Sequence, residues 1–215
     1  MKLFGYFRSS AAFRVRIALN LKGLKYEPQF INLSTGEHLS DKFLEINPQG
    51  RVPVLQVNEE EFFQSSSIIE YIDEKWPEPP LLPNDAKGRA FARSIANIIA
   101  CDIHPLNNLS VLKYLTSVLK VGEIGRSEWY QHWVDQGFNA VEKLLNKKNE
   151  NFRFSLGNIP GFIDVFLVPQ VFNAKRFNCN LSNFPTINRI FAECMKIEAF
   201  EKAEPSKQPE AQAFE

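Results

Sequence analysis

Ser9 and Ser10 stand where an apolar run, Lys2 to Phe7, gives way to a helical pattern carried by Val15, Ala18 and Leu19. Serine is a favoured N-cap. A helix start carries unpaired N–H groups and a partial positive charge, so it can hold an anion. A hydroxyl at that place can also donate to a thiolate and keep it ionised at neutral pH. The same residues equally make an ordinary strand-to-helix joint, and only the rest of the chain separates the two readings.

Two further segments carry similar chemistry. Asn47-Pro48-Gln49-Gly50-Arg51-Val52-Pro53-Val54-Leu55 reads as a turn leading into a strand that begins at proline. Phe63-Gln64-Ser65-Ser66-Ser67-Ile68 reads as a second short strand entering a helix through a polar cap. The elements that must position them follow from periodicity. Strands are expected at 3–6, 26–32, 54–57 and 61–63, with helices at 12–21 and near 38–46. That βαβ–ββα order predicts an α/β, thioredoxin-like N-terminal domain over 1–76.

A stretch with four prolines, 77–85, forms a stiff linker. Beyond it, 86–215 reads as an all-α domain, with helices at about 86–119, 127–147, 161–177 and 185–194 and a short one near 195–201. Pro105 should bend the first of these and tilt Asp102, His104 and Asn108 toward a cleft. Asp164, three residues after Gly161, should cap a helix start, which is a folding role. The polar last dozen residues are expected to wrap the surface or fray.

Composition narrows the function classes. Lys plus Arg equals Asp plus Glu at 25 each, which gives no electrostatic case for a nucleic-acid or membrane partner. No long apolar run is present, so no signal peptide or membrane span is expected. Cys101, Cys179 and Cys194 fit neither a disulfide framework nor a metal site, suit a reducing cytoplasm, and are expected to be small buried apolar residues.

The chain resembles the soluble glutathione transferases, and within them the zeta class, which holds the maleylacetoacetate and maleylpyruvate isomerases. The class fingerprint Ser-Ser-Cys-x-x-Arg-Val-Arg-Ile-Ala-Leu is followed from Ser9 to Leu19 with one departure, Ala11 in place of cysteine. Segments 101–112, 167–177, 184–187 and 203–209 also look like zeta-class segments, so the resemblance runs nearly end to end. It implies a glutathione transferase fold, glutathione as cofactor, a homodimer and a small dicarboxylate substrate. The implied reaction is the glutathione-dependent cis–trans isomerisation of maleylacetoacetate to fumarylacetoacetate in aromatic amino-acid (tyrosine) catabolism. Maleylpyruvate is the alternative substrate, as in members that can lack the cysteine, and α-haloacid conjugation is a side activity using the same thiolate. A non-catalytic glutathione-binding scaffold is a further reading that the intact Ser9–Ser10 pair disfavours. A glutaredoxin-type enzyme would need a cysteine where Ala11-Ala12 stands.

The resemblance also implies roles residue by residue. Ser9 or Ser10 activates the thiol, Ser9 being the first choice. Gln64 and Ser65 take the γ-glutamyl carboxylate through a hydroxyl, an amide and free N–H groups. The Val52–Pro53 bond is cis and turns the backbone before it toward the cysteinyl unit. His38 and Gln49 reach the glycyl end, and Arg14 matches a glutathione contact, although Arg14 and Arg16 within a helix also read as surface or interdomain ion pairs. His104, Asn108, Leu109 and Ser110 surround the tripeptide, and Asp102 holds the ammonium of glutathione in the other subunit. Arg8 and Arg176 are left for the substrate's carboxylates, which a planar guanidinium grips two-pronged.

Overall fold

The structure, a computed structural model, describes residues 1–148 and 152–214. The chain divides into two units: residues 1–81 together with 195–215, and residues 82–194. The carboxy-terminal residues therefore pack with the first unit, whereas the sequence pattern placed them with the helical domain.

In the first unit β1 (Lys2–Gly5) leads into α1 (Ser10–Leu21) and β2 (Glu27–Phe30). A tight turn at Glu37–Leu39 and α2 (Asp41–Ile46) precede β3 (Val54–Val57), β4 (Glu60–Phe63) and α3 (Ser65–Lys75). The sheet order is β2-β1-β3-β4. β1 runs parallel to β2 and antiparallel to β3, and β3 is antiparallel to β4. This is the expected βαβ–ββα thioredoxin-like arrangement. The helix foreseen near 38–46 is divided because Ser40 caps α2, its side chain accepting from the Phe43 amide at 3.3 Å. Ile17, Ala18, Leu19, Val54, Leu55, Ile68, Ile69 and Ile72 are fully buried and form the core that fixes both helix starts against the sheet.

The register places three chain segments at one edge. β1 and β4 end there, and β3 begins there. Phe4, Val54 and Phe63 form one cross-strand row, so Pro53 and Gln64 stand side by side one residue beyond it.

Residues 195–211 wrap the first unit and do not fray. The strap carries α9 (Glu198–Ala203) and a turn at Pro205–Lys207. Ala211 is buried in a cluster with Tyr6 and Phe7, and Asn20 donates to the Ala199 carbonyl at 2.9 Å.

The second unit holds α4 (Ala86–Asn97), α5 (Leu109–Ser117), α6 (Glu123–Lys148), α7 (Phe162–Arg176) and α8 (Pro185–Cys194). The single bent helix expected over 86–119 is broken. After α4 the backbone widens into a π turn at Ile98–Ile103, with the His104 amide bonded to the Ile99 carbonyl. Pro105 cannot donate onward, and Asn108 restarts a helix by capping α5. The turn is locked onto α6, where Trp129 donates to the Leu106 carbonyl at 2.8 Å and Asn107 to the Tyr130 carbonyl at 3.2 Å. Ile103 packs so closely on Gly137 that a Cβ there would overlap it. Asp164 has the expected folding role: 1 % exposed, it accepts from the Gly161 amide and from the Ser155 amide and hydroxyl. Burial pushes its carboxyl up and these hydrogen bonds draw it down, with burial dominant.

Among the described residues no helix is long and apolar enough to cross a membrane.

Candidate functional site

Ser9 occupies the N-cap of α1 with extended backbone, and its side-chain oxygen accepts from the Ala12 amide at 3.2 Å. An oxygen used as acceptor keeps its O–H to donate elsewhere. Ser9 is half-buried, and its own amide is held by the Tyr6 carbonyl at 2.9 Å. Ser10, the first helical residue, is 6 % exposed. A half-buried hydroxyl donor at a dipole's positive end suits a thiolate. Ala11, at the place of the class cysteine, is half-buried beside them.

The turn before β3 is built by Asn47, which is buried. Its side chain accepts from the Gln49 amide at 3.1 Å and donates to the Arg51 carbonyl at 2.7 Å. In the sequence this residue reads only as part of a turn, although an Asx motif before Pro48 is a usable signal. Gly50 has φ 60°, and a Cβ there would stand 3.1 Å from the His38 carbonyl and 3.0 Å from Leu39. The glycine thereby brings the His38 turn against the Gln49 loop. The Val52–Pro53 bond is cis, and so is Glu78–Pro79, which the sequence did not single out.

Gln64 takes φ 63°, ψ 121° at the N-cap of α3. For a residue with a side chain this backbone costs on the order of 1–3 kcal/mol, and such strain collects at ligand clamps. Its side-chain Nε2 donates to Oε1 of Gln49 at 2.8 Å, joining two exposed side chains from separate loops. Next to it Ser65 is buried, and Arg14 donates to its hydroxyl at 3.3 Å.

Arg14 and Arg16 are 2 % and 4 % exposed. The reading of them as surface residues is therefore corrected: both guanidinium groups are buried. Arg14 donates to the Ser65 hydroxyl, and Arg16 to the Ala203 and Phe7 carbonyls, all within the first unit. Ser9, Ser10, Arg14, His38, Gln49, Val52, Pro53, Gln64 and Ser65 thus belong to one unit, on α1 and the loops around one sheet edge.

The remaining candidates, Arg8 apart, lie on the second unit. Asp102, Leu109 and Ser110 are exposed, and His104 and Asn108 are half-buried. Asn108 is engaged in capping, accepting from the Ser110 amide at 3.0 Å and hydroxyl at 3.1 Å. Arg8, on the first unit, and Arg176, at the last turn of α7, are both exposed. Each guanidinium lies over the ring of its neighbour in sequence, Arg8 on Phe7 at 4.8 Å and Arg176 on Phe177 at 5.0 Å.

The cysteines depart from the expectation that all are buried. Cys101 is exposed and Cys179 half-buried, and only Cys194 is buried. Burial pushes the Cys179 thiol up to about 11 and that of Cys194 higher still, so neither is a thiolate at neutral pH.

The donor set at the sheet edge fits a peptide bearing a thiol and carboxylates. It offers a spare hydroxyl at one helix start, a strained polar cap at another, and a buried cation between them. Residues 1–74 match the family model described as glutathione S-transferase, N-terminal domain. The chain is 45 % identical over 216 residues to the maleylacetoacetate isomerase of Pseudomonas aeruginosa, covering 99 % of this chain and 100 % of that one. A holo structure of maleyl pyruvate isomerase, a bacterial glutathione S-transferase in the zeta class, superposes with TM-score 0.95 at 42 % identity, covering 97 % of this chain and 99 % of that one. The maleylacetoacetate isomerase of Methylobacterium extorquens AM1, solved with bound malonate and GSH, gives TM-score 0.93 at 36 % identity over 97 % of this chain and 98 % of that one. The chain belongs to the zeta class of the glutathione S-transferase family.

Proposed function

We propose that this protein is a glutathione-dependent cis–trans isomerase converting maleylacetoacetate to fumarylacetoacetate, acting as a homodimer in the cytoplasm. The observation that carries the reading is Ser9: a helix N-cap whose oxygen is used as an acceptor while its O–H stays available. The relatives' names and the bound malonate and GSH of one of them support it.

When bound, glutathione supplies a thiol that adds reversibly to the conjugated double bond, permits rotation, and is restored on elimination. The chain's own residues do the rest. Ser9 donates to the sulfur and, with the start of α1, favours its ionised form. A hydrogen bond to a charged group is worth about 1.5–3 kcal/mol, or roughly one to two pKa units. Gln64, Ser65 and the first amides of α3 take the γ-glutamyl carboxylate. The backbone of Val52 faces the cysteinyl unit, while His38 and Gln49 take the glycyl end. Arg8 and Arg176 grip the substrate's carboxylates and compensate the negative charge that spreads onto them.

Maleylpyruvate is the second reading. It is favoured by Ala11 at the cysteine position and by the 0.95 TM-score to a maleyl pyruvate isomerase. Paired measurement of kcat/KM on maleylacetoacetate and maleylpyruvate, with α-haloacid conjugation alongside, decides between them. The substrate with the higher value is the one the site is built for, and no glutathione-dependent turnover of either would reject the reading.

A further inference from the structure

Arg16 lies on α1 two residues beyond Arg14, yet it does not face the polar caps. Its Nε donates to the Ala203 carbonyl at 2.9 Å and its Nη2 to the Phe7 carbonyl at 3.0 Å. The guanidinium lies over the Phe13 ring at 5.4 Å. It makes no ion pair with a carboxylate among the described residues, and the titratable groups that act on it are Tyr26 and Glu210. Burial draws its pKa down to about 10, so it is still charged at neutral pH.

A buried charge held by carbonyls is costly unless its geometry is well made, so its placement calls for a reason. The two carbonyls supply one. Phe7 is two residues ahead of Ser9, in the short link that carries the chain from β1 into the cap of α1. Ala203 ends α9 in the carboxy-terminal strap, 187 residues away in sequence. Arg16 is rigidly set by its own helix, and a planar fork holds two acceptors at fixed angles. A shift of the Phe7 carbonyl would move the Ser9 hydroxyl off its acceptor geometry with the Ala12 amide.

We propose that Arg16 is a positioning residue for thiol activation: by gripping the Phe7 and Ala203 carbonyls together, it fixes the Ser9 hydroxyl through the docked carboxy-terminal strap. The inference rests on the reading of Ser9 given above. Lysine at this position keeps the charge but not the two-pronged geometry, and methionine keeps the bulk alone.

The experiment compares Arg16→Lys, Arg16→Met, Asn20→Ala and Ser9→Ala with the unaltered chain. Asn20→Ala cuts the neighbouring tether to the strap without touching the Phe7 link. Two readouts are taken: amide hydrogen exchange at Ala12 and Phe13 in the protein without glutathione, and the pKa of bound glutathione from its thiolate absorbance. Both Arg16 variants should speed exchange at those two amides. They should raise the bound-thiol pKa by about one unit, a roughly tenfold smaller thiolate fraction below that pKa. Asn20→Ala should do neither. Unchanged exchange and pKa in Arg16→Lys and Arg16→Met, with Ser9→Ala still raising the pKa, would overturn the proposal. Equal effects from Asn20→Ala would overturn it too, because general loosening of the strap would then account for them. Should Arg16→Met not fold, Arg16→Lys decides alone. If Ser9→Ala leaves the thiol pKa untouched, the reading of Ser9 fails. Exchange at Ala12 and Phe13 then still decides whether Arg16 positions the cap.

Discussion

The guanidinium of Arg14 meets the hydroxyl of Ser65 at 3.3 Å in a buried contact between residues 51 apart in sequence. It ties the first helix to the start of the third, so two anion-attracting helix ends are held in one register. A hydrogen bond from a charged donor is worth about 1.5–3 kcal/mol, more than most surface contacts can supply. Ser65→Ala should therefore destabilise the chain to denaturant by about 1–3 kcal/mol and weaken glutathione binding in calorimetry. Arg14→Met should do the same, and the double variant should cost less than the sum. Simple additivity would show that the two groups act independently.

Gly137 makes a prediction about the fold alone. Alanine normally gains about 0.5–1 kcal/mol over glycine inside a helix. Here its Cβ would overlap Ile103 in the π turn, and overpacking costs about 1–3 kcal/mol. The overlap wins. Gly137→Ala should lower the unfolding midpoint, and trimming Ile103 to valine or alanine in the same chain should recover part of the loss. A more stable Gly137→Ala would mean the turn yields freely.

Arg8 and Arg176 should separate substrate from cofactor. Losing a close charge-assisted contact to a carboxylate costs on the order of 2–5 kcal/mol, roughly 30-fold or more in kcat/KM. Arg176→Ala should show that loss for the dicarboxylate with glutathione affinity nearly unchanged. Arg8→Ala should behave similarly but less cleanly, because it adjoins Ser9. A surface ion pair would give about 1 kcal/mol or less and no change in specificity. Weakened glutathione binding with the dicarboxylate spared would reverse the assignment.

Ser9→Ala should raise the pKa of bound glutathione, and Ser10→Ala should raise it less. The geometry favours Ser9 because its oxygen accepts from the Ala12 amide, which leaves its O–H to donate. Titrating the thiolate absorbance of the bound tripeptide checks this. The sign is direct: a higher pKa shifts the rise of activity to higher pH, so the variant should lose most at neutral pH and recover in alkali. An identical profile in both variants and the unaltered chain would dismiss the hydroxyls.

The sheet and its caps were legible because each rests on local signals: period-two strands, serine caps and the proline opening β3. The break between α4 and α5 was not, since apolar spacing runs on through Ile99 and Ile103, and Pro105 alone does not tell a bend from a stop. The capping pattern of Asn108 and Ser110 was the missing clue. Arg14 and Arg16 misled for a different reason. What buries a guanidinium is its remote acceptors, and the Ala203 carbonyl lies 187 residues from Arg16. No window of sequence contains that pairing. Gln64 was named as a clamp, but its positive φ has no signature in a side chain other than glycine or asparagine.

Whether a thiol held at Ser9 carries the isomerisation is measured most directly by comparing glutathione with S-methylglutathione. The blocked peptide keeps the carboxylates and the ammonium but cannot add to a double bond. Turnover of maleylacetoacetate or maleylpyruvate should appear with glutathione, vanish with S-methylglutathione, and be inhibited when the blocked peptide competes with the free thiol. Equal turnover with the blocked peptide, or with no peptide, would contradict the account.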